Sequence, residues 1–536
     1  MDNNKNTFIA IGLMLGVWVL FTILFPPAQN QPPVEPQTQP VAEQSVSTQP
    51  ASPTVQQMTT QPAVIPVIPT EEKELVIRTD LFSAVFTNIG ARLKHLELNN
   101  YRVEDNVDAD LVSVIDVDFP HLATLRLAGV NGLLLSSEAP YSLPDGGQEV
   151  SLVGDDKKSF VFSTTTSDGV VIEKVFTFYG NSYAVDVDVR VSNPGNKAVR
   201  GGLELSLVEI FDDTVEPEQF SFVGAATYID GELKTETLED LKEKSASFGK
   251  SAIWSAYEDK YFMSALVPLN GASEKVRMQR QDNMVENIFN LPFLSLNPGM
   301  TTSQSFMAYF GPRDKSILES VNHDLSKAID FGFFSPISEP LLWFMNKINT
   351  YIHNYGIAII LVTVVIKLLF WPLTHKSYAS MKAMQKLAPE IQKLKDRFKN
   401  DRARQGQETM ALYKENRVNP MSGCLPMLIQ IPVFFALYRV LYEAIELRHA
   451  DFAFWITDLS AKDPYYITPL VMGATMFIQQ KMTPSTMDKT QQKIFLMMPV
   501  VFTVMFLNFP SGLVIYWLIN NLLTIAQQYY IHRKFA

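Results

Sequence analysis

The chain has 536 residues, 47% of them hydrophobic, a net charge of −11 and one cysteine. That length exceeds one ordinary domain, and a single thiol excludes an intrachain disulfide framework. The charge divides unevenly: residues 26–340 hold 23 Lys and Arg against 44 Asp and Glu, and the remainder holds 22 against 12. Such asymmetry points to two parts facing different compartments.

Residues 8–25 form an uncharged apolar run of 18, long for a cleavable signal and lacking a small-x-small site after it. An uncleaved anchor over residues 1–25 is expected. Residues 26–70 contain 11 Pro and 9 Gln with no Gly and no aromatic. This composition cannot bury enough apolar surface to fold and predicts an extended tether.

From residue 71 to 330 the period is two. Residues 185–192 (Val-Asp-Val-Asp-Val-Arg-Val-Ser) alternate strictly, and turn signals recur at Asp145-Gly-Gly, Tyr179-Gly-Asn and Asp230-Gly. A large antiparallel β-sandwich is predicted. It carries no catalytic constellation: Gly249-Lys250-Ser251 is preceded by Lys244 where a phosphate loop needs glycine, and the seven His are scattered without a metal-binding pair. A sugar site on a concave face stays open as a fold-level alternative.

Residues 331–350, rich in Phe, Leu and Trp but interrupted by Pro336 and Pro340, predict an interfacial amphipathic segment. Residues 351–373 then read as a membrane span with a lysine, Lys367, inside it. An ammonium there costs from about 2.5 kcal/mol upward, so it needs a partner, water or a snorkelling route to the headgroups. Thr363 lies one turn earlier on the same face. The next apolar stretch places Gln430 between Pro426 and Pro432, at a matching depth if the two spans are antiparallel.

Between them, residues 374–420 hold 11 Lys and Arg against 5 Asp and Glu, which marks a cytoplasmic helical hairpin. Its first helix is read through Met381, Met384, Leu387, Ile391, Leu394 and Phe398, with a turn at residues 399–402. Its contact residues are read as exposed Met381 and Met384 beside the basic Lys395, Arg397, Lys399 and Arg402. Three further spans are expected at 465–480, 494–509 and 513–528, short enough to thin a bilayer. Tyr516 and Trp517 are either interfacial belt residues or the outer end of a polar path from Lys367.

The run Asn419-Pro-Met-Ser-Gly-Cys-Leu-Pro-Met-Leu-Ile-Gln430-Ile-Pro-Val-Phe-Phe-Ala-Leu-Tyr438, the segment Phe509-Pro-Ser-Gly-Leu-Val-Ile-Tyr516 and the Gln527-Gln528 ending resemble the YidC family of membrane protein insertases. The resemblance implies six spans, with a periplasmic supersandwich-like domain (71–330) between the first and second and a five-span core over 351–536. It further implies a Gram-negative inner-membrane protein with a cytoplasmic N-terminus, no cofactor and no enzymatic reaction. Its clients would be nascent membrane proteins, its partners the Sec translocon, the ribosome and the lipid bilayer, with no sequence-specific nucleic acid. Lys367, Thr363, Gln430, Tyr516 and Trp517 fall at positions lining the family's hydrophilic groove. Two of them depart from the family pattern, which has arginine at Lys367 and often tyrosine at Trp517. Lysine keeps the charge and loses the planar fork of donors. A small-solute secondary transporter and an anchored periplasmic sugar-binding protein are the competing classes.

Overall fold

A computed structural model describes residues 71–106, 108–143, 149–212, 222–249, 251–416, 418, 425–483 and 489–534. The expected anchor, the tether, the Asp145-Gly-Gly turn and residues 419–424 of the Pro-flanked motif lie outside them.

Among the described residues the β-rich part has three sheets. In the eight-stranded sheet the order is Glu232–Thr237, Gly224–Ile229, Ala252–Glu258, Phe262–Pro268, Thr301–Pro312, Ala184–Ser192, Val171–Tyr179, Lys157–Thr165. The alternation read over 185–192 is real: Val185, Val187, Val189 and Val191 are buried while Asp186, Asp188 and Arg190 are not. Asp230-Gly makes a two-residue hairpin loop between Ile229 and Glu232, and both loop residues have positive φ, as the twist of paired strands favours. A six-stranded sheet centres on Val199–Ile210, and a five-stranded one on Phe82–Thr87.

The all-antiparallel expectation needs one correction. Glu149–Ser151 pairs in parallel with Glu74–Arg78, which a return connection some seventy residues long permits and a hairpin would not. Phe82, Phe86, Phe162, Phe176 and Phe178 fill the core between sheets. Lys174 is fully buried there, donating to the carbonyls of Gly90 at 3.0 Å and Leu125 at 2.7 Å and to that of Ala91, and burial pushes its ammonium well below the usual lysine range. Two short helices, α1 (Leu238–Glu243) and α2 (Lys315–Val321), decorate the sandwich.

Charged side chains join the sandwich to the helices. Lys315 pairs with Glu339 at 2.7 Å, while Arg313, inside the sandwich, pairs with buried Glu258 at 3.1 Å and donates to the Ala328 carbonyl at 2.7 Å. Arg448 donates to the Arg102 carbonyl and, at 3.1 Å, to that of Val103.

The helical part starts with α3 (Ser335–Ile352), which is continuous where the sequence suggested a broken segment. Pro336 sits in the first turn, where its missing N–H costs nothing, so only Pro340 removes a bond. The next helix, α4 (Tyr355–Lys386), corrects two expected boundaries. It starts at Tyr355 because His353 is left-handed (φ 54°) and Asn354 caps the Ile357 N–H at 2.9 Å; Tyr351 therefore belongs to α3. It also runs past residue 373 without a break, so Met381 and Met384 extend α4 instead of starting the hairpin. Met384 continues the buried stripe of Thr363, Lys367, Thr374 and Ser377 and is itself buried, and Met381 is half-buried, against the reading of both as exposed.

The hairpin proper is α5 (Ala388–Arg397) and α6 (Arg402–Glu415), with Lys395, Arg397 and Lys399 exposed and Arg402 opening α6. The Asp401 side chain caps α6 at the Arg404 N–H, 3.0 Å. Then come α7 (Leu425–Glu443), α8 (Ile467–Met482), α9 (Lys489–Phe506) and α10 (Ser511–Lys534). Gly473 lets α8 and α9 touch: a Cβ there would lie 1.9 Å from the Thr503 hydroxyl. Among the described residues α4 is long and apolar enough to cross a membrane, and Phe495–Phe506 is a shorter apolar helix.

Candidate functional site: a polar seam between helices

Lys367 sits in the middle of α4 with its ammonium inside the helix bundle and 9% of the residue exposed. It donates to Asn520 Oδ1 at 3.0 Å and to Thr524 Oγ1 at 2.6 Å, both on α10. No acidic group among the described residues acts on it. The ammonium is thus turned toward α10. Gln430 Nε2, on α7, donates to the same Asn520 oxygen at 3.0 Å, so the expected meeting of Lys367 and Gln430 occurs through a shared acceptor. An ammonium carries three donors, and two are used among the described residues.

Thr363 lies on the same buried face one turn away, but its hydroxyl donates to its own helix at Ile359, 2.6 Å, and does not join the Lys367 partners. Tyr516 is buried, one turn of α10 before Asn520, and Gln430 reaches its side chain. Trp517 packs edge-on to Phe434 at 4.9 Å and near Phe506 at 5.4 Å. Tyr516 is thus a buried neighbour of Gln430, while Trp517 is half-buried among aromatic rings.

The seam continues toward the hairpin. Gln527 Nε2 donates to Thr374 Oγ1 at 2.7 Å, and Gln528 Nε2 donates to Tyr378 at 3.0 Å and to Thr483 at 2.9 Å. Asn520, Thr524, Gln527 and Gln528 were not picked out by sequence reading as one site. Their spacing of four, three and one puts them on one helical face, a signal that was available. The apolar residues of α4 on the other side, Val365, Leu368 and Leu369, are exposed, as a lipid-facing surface requires. The arrangement can hold one uncompensated positive charge among neutral oxygens and amides inside an apolar shell. It has no nucleophile paired with a base.

Residues 347–536 match the family model described as 60Kd inner membrane protein, and residues 74–344 match that of the YidC periplasmic domain. Among curated proteins, the chain is 43% identical over 535 residues to the membrane protein insertase YidC of Geotalea daltonii (strain DSM 22248 / JCM 15807 / FRC-32), with 99% of each covered. It is 42% identical over 539 residues to that of Geotalea uraniireducens (strain Rf4), again with 99% of each covered. Among solved structures, an active YidC insertase with its first transmembrane domain resolved aligns with 86% of this chain and 93% of its own, at 20% identity and a TM-score of 0.37.

Proposed function

Since the chain belongs to the YidC family of membrane protein insertases, we propose that the seam around Lys367 is where it receives the hydrophilic tail of a client. The protein is a membrane protein insertase with a periplasmic domain, and its substrates are nascent membrane proteins. The observation that carries the site assignment is the Lys367 ammonium, buried with no acidic partner among the described residues and with two of its three N–H groups donated to them.

A client's polar tail loses hydration as it leaves the cytoplasm, at a cost of several kcal/mol for each uncompensated group. Lys367, Gln430, Asn520 and Thr524 replace part of that hydration at mid-depth, with Thr363, Tyr516 and Trp517 shaping the far end of the groove. The remaining N–H of Lys367 suits a carboxylate or carbonyl oxygen of the tail. Short helices assist. The 16 residues of α8 span about 24 Å against a hydrocarbon core near 30 Å, so the bilayer thins beside the seam. Partitioning of the client's apolar span supplies the drive, and the membrane potential adds to it for acidic tails.

The reading assigns six spans: residues 8–25, the first part of α4, and α7, α8, α9 and α10, with the N-terminus in the cytoplasm and the sandwich (71–330) in the periplasm. The basic hairpin, with Lys395, Arg397, Lys399 and Arg402, faces the cytoplasm and suits a ribosome. A Sec translocon is the second proposed partner. Photocrosslinkers at residues 367, 430 and 520, with a ribosome-stalled single-span client, test the site. Adducts at all three that are lost at exposed Leu369 are expected. Adducts at Leu369 alone would place the client on the lipid face and remove the seam from the mechanism.

A further inference from the structure

The loop joining α7 to α8 carries a ring that insertion leaves unused. Phe454 is 94% exposed, and its backbone is left-handed with φ 59°. Both features are costly. A bulky side chain strains in that region, where glycine or asparagine is the ordinary occupant, and an open ring leaves apolar surface in contact with water. The turn holding it is well defined: the Phe452 N–H donates to the Ile456 carbonyl at 3.0 Å, and the Ile456 N–H donates to the Ala453 carbonyl at 3.2 Å. Observed strain of this kind collects at functional positions.

The position of the turn says what covers the ring. The Phe452 ring lies against Gly356, where an added Cβ would be 2.0 Å away, and the Phe452 carbonyl accepts from Asn354 Nδ2, the cap of α4, at 2.9 Å. The turn is therefore fixed at the level where the apolar α4 begins. From Phe454 the aromatic row runs to Trp455 at 5.9 Å and on to Tyr465 at 6.4 Å, with the Trp455 N–H held by Asp463 at 3.0 Å. Tyr465 is exposed and leads directly into exposed Ile467, Leu470 and Val471 on the first turns of α8. The aromatic row from Phe454 thus leads to the exposed apolar first turns of α8.

We propose that Phe454 is a lipid anchor, its ring inserted at the headgroup boundary of the noncytoplasmic leaflet. This rests on reading α4 and α8 as spans with their connecting loop outside. The anchor fixes the depth of the start of α8, so this short helix cannot sink toward one leaflet, and the shortfall in its length is met by the bilayer.

The test uses the full chain with Cys424→Ser and a single cysteine at residue 454 or, as the control, at exposed Asp451. Each is labelled with bimane in vesicles of phosphatidylethanolamine and phosphatidylglycerol. At 454 we expect blue-shifted emission, about threefold stronger quenching by headgroup-level nitroxide lipid than at 451, and loss of iodide quenching. Equal iodide quenching at the two positions would overturn the anchor. So would protection from iodide without nitroxide quenching, which would mean a protein cover. A membrane-impermeant maleimide on intact spheroplasts tests the topology separately: labelling of Asp451→Cys only after permeabilisation would refute the outside loop, whatever the vesicle result.

Discussion

Asn520 concentrates the energetics of the seam in one oxygen, which receives both Lys367 and Gln430. Replacing it by leucine strips one of two partners from a buried ammonium and leaves the Gln430 amide without this acceptor, at about 1–3 kcal/mol for each buried group left unsatisfied. Asn520→Leu is expected to lower stability by roughly 2–4 kcal/mol, and the loss is expected to shrink when Lys367 is already Met. Thermal unfolding of the four forms in detergent measures this, and additive losses would show that Asn520 does not hold the lysine. Lys367 and Gln430 were legible in the sequence because charge and proline-flanked amide are rare in apolar runs, and Thr363 was read only from its place on the Lys367 face, where its hydroxyl turns back to its own helix. Asn520 and Thr524 were not singled out, since neutral polar residues are common in such runs and only their shared helical face betrays them. A second residue-scale prediction concerns Glu258 beside Arg313. Burial raises its carboxyl from an ordinary 4.5 to about 7, with the Arg313 guanidinium pulling the other way. The folded chain thus holds this proton more tightly than the unfolded one. The stability it contributes is fully present below about pH 4.5 and is lost as pH rises through about 7, on the order of 3 kcal/mol at most. Amide exchange in strand Ala252–Glu258, corrected for intrinsic rates, should show protection falling from pH 5 to pH 8, and Glu258→Gln should flatten that fall. Rising protection would reverse the assignment.

Pro499 inside α9 shows how one helix repairs another. Lacking an N–H, it cannot bond the carbonyl of Phe495 four residues back, and Gln480 of α8 donates to that carbonyl instead, at 2.6 Å. In hydrocarbon an unmet carbonyl is expensive, so the pair couples α8 to α9 beside the Gly473 contact. Gln480→Leu should therefore destabilise the core by about 1–3 kcal/mol, and Pro499→Ala, which restores the N–H, should recover most of it. The check is a double-mutant cycle on unfolding in detergent; no recovery would show that the Phe495 carbonyl does not need Gln480. Element type was readable from period and composition. Element ends were less so, because they depend on local geometry that no pattern encodes. The left-handed His353 moved the start of α4 from 351 to 355, and uninterrupted packing of its buried stripe carried the helix past 373 to Lys386 and took Met381 and Met384 with it. The parallel pairing of Glu149–Ser151 was equally hidden, since it joins segments far apart in sequence.

The molecule divides its labour between an acidic β-rich part and a basic helical part, and the polar seam lies wholly in the second. Deleting residues 36–310 while keeping α3 is therefore expected to leave most insertion intact; complete loss in a stably expressed deletion would mean that the sandwich takes part in insertion. Within the helical part, everything proposed for client tails depends on the ammonium of Lys367. Lys367→Ala should keep the fold but fail on clients with short acidic tails, Lys367→Arg should work, and Lys367→Glu should be worst through like-charge repulsion. Neutral tails should suffer less than acidic ones, because only the attraction differs between them. The decisive measurement is insertion of matched single-span clients, differing only in tail charge, into vesicles holding equal amounts of each variant. The account predicts a deficit for Lys367→Ala that deepens with each added acidic residue, and equal insertion by the Lys and Ala forms across the tail series would contradict it.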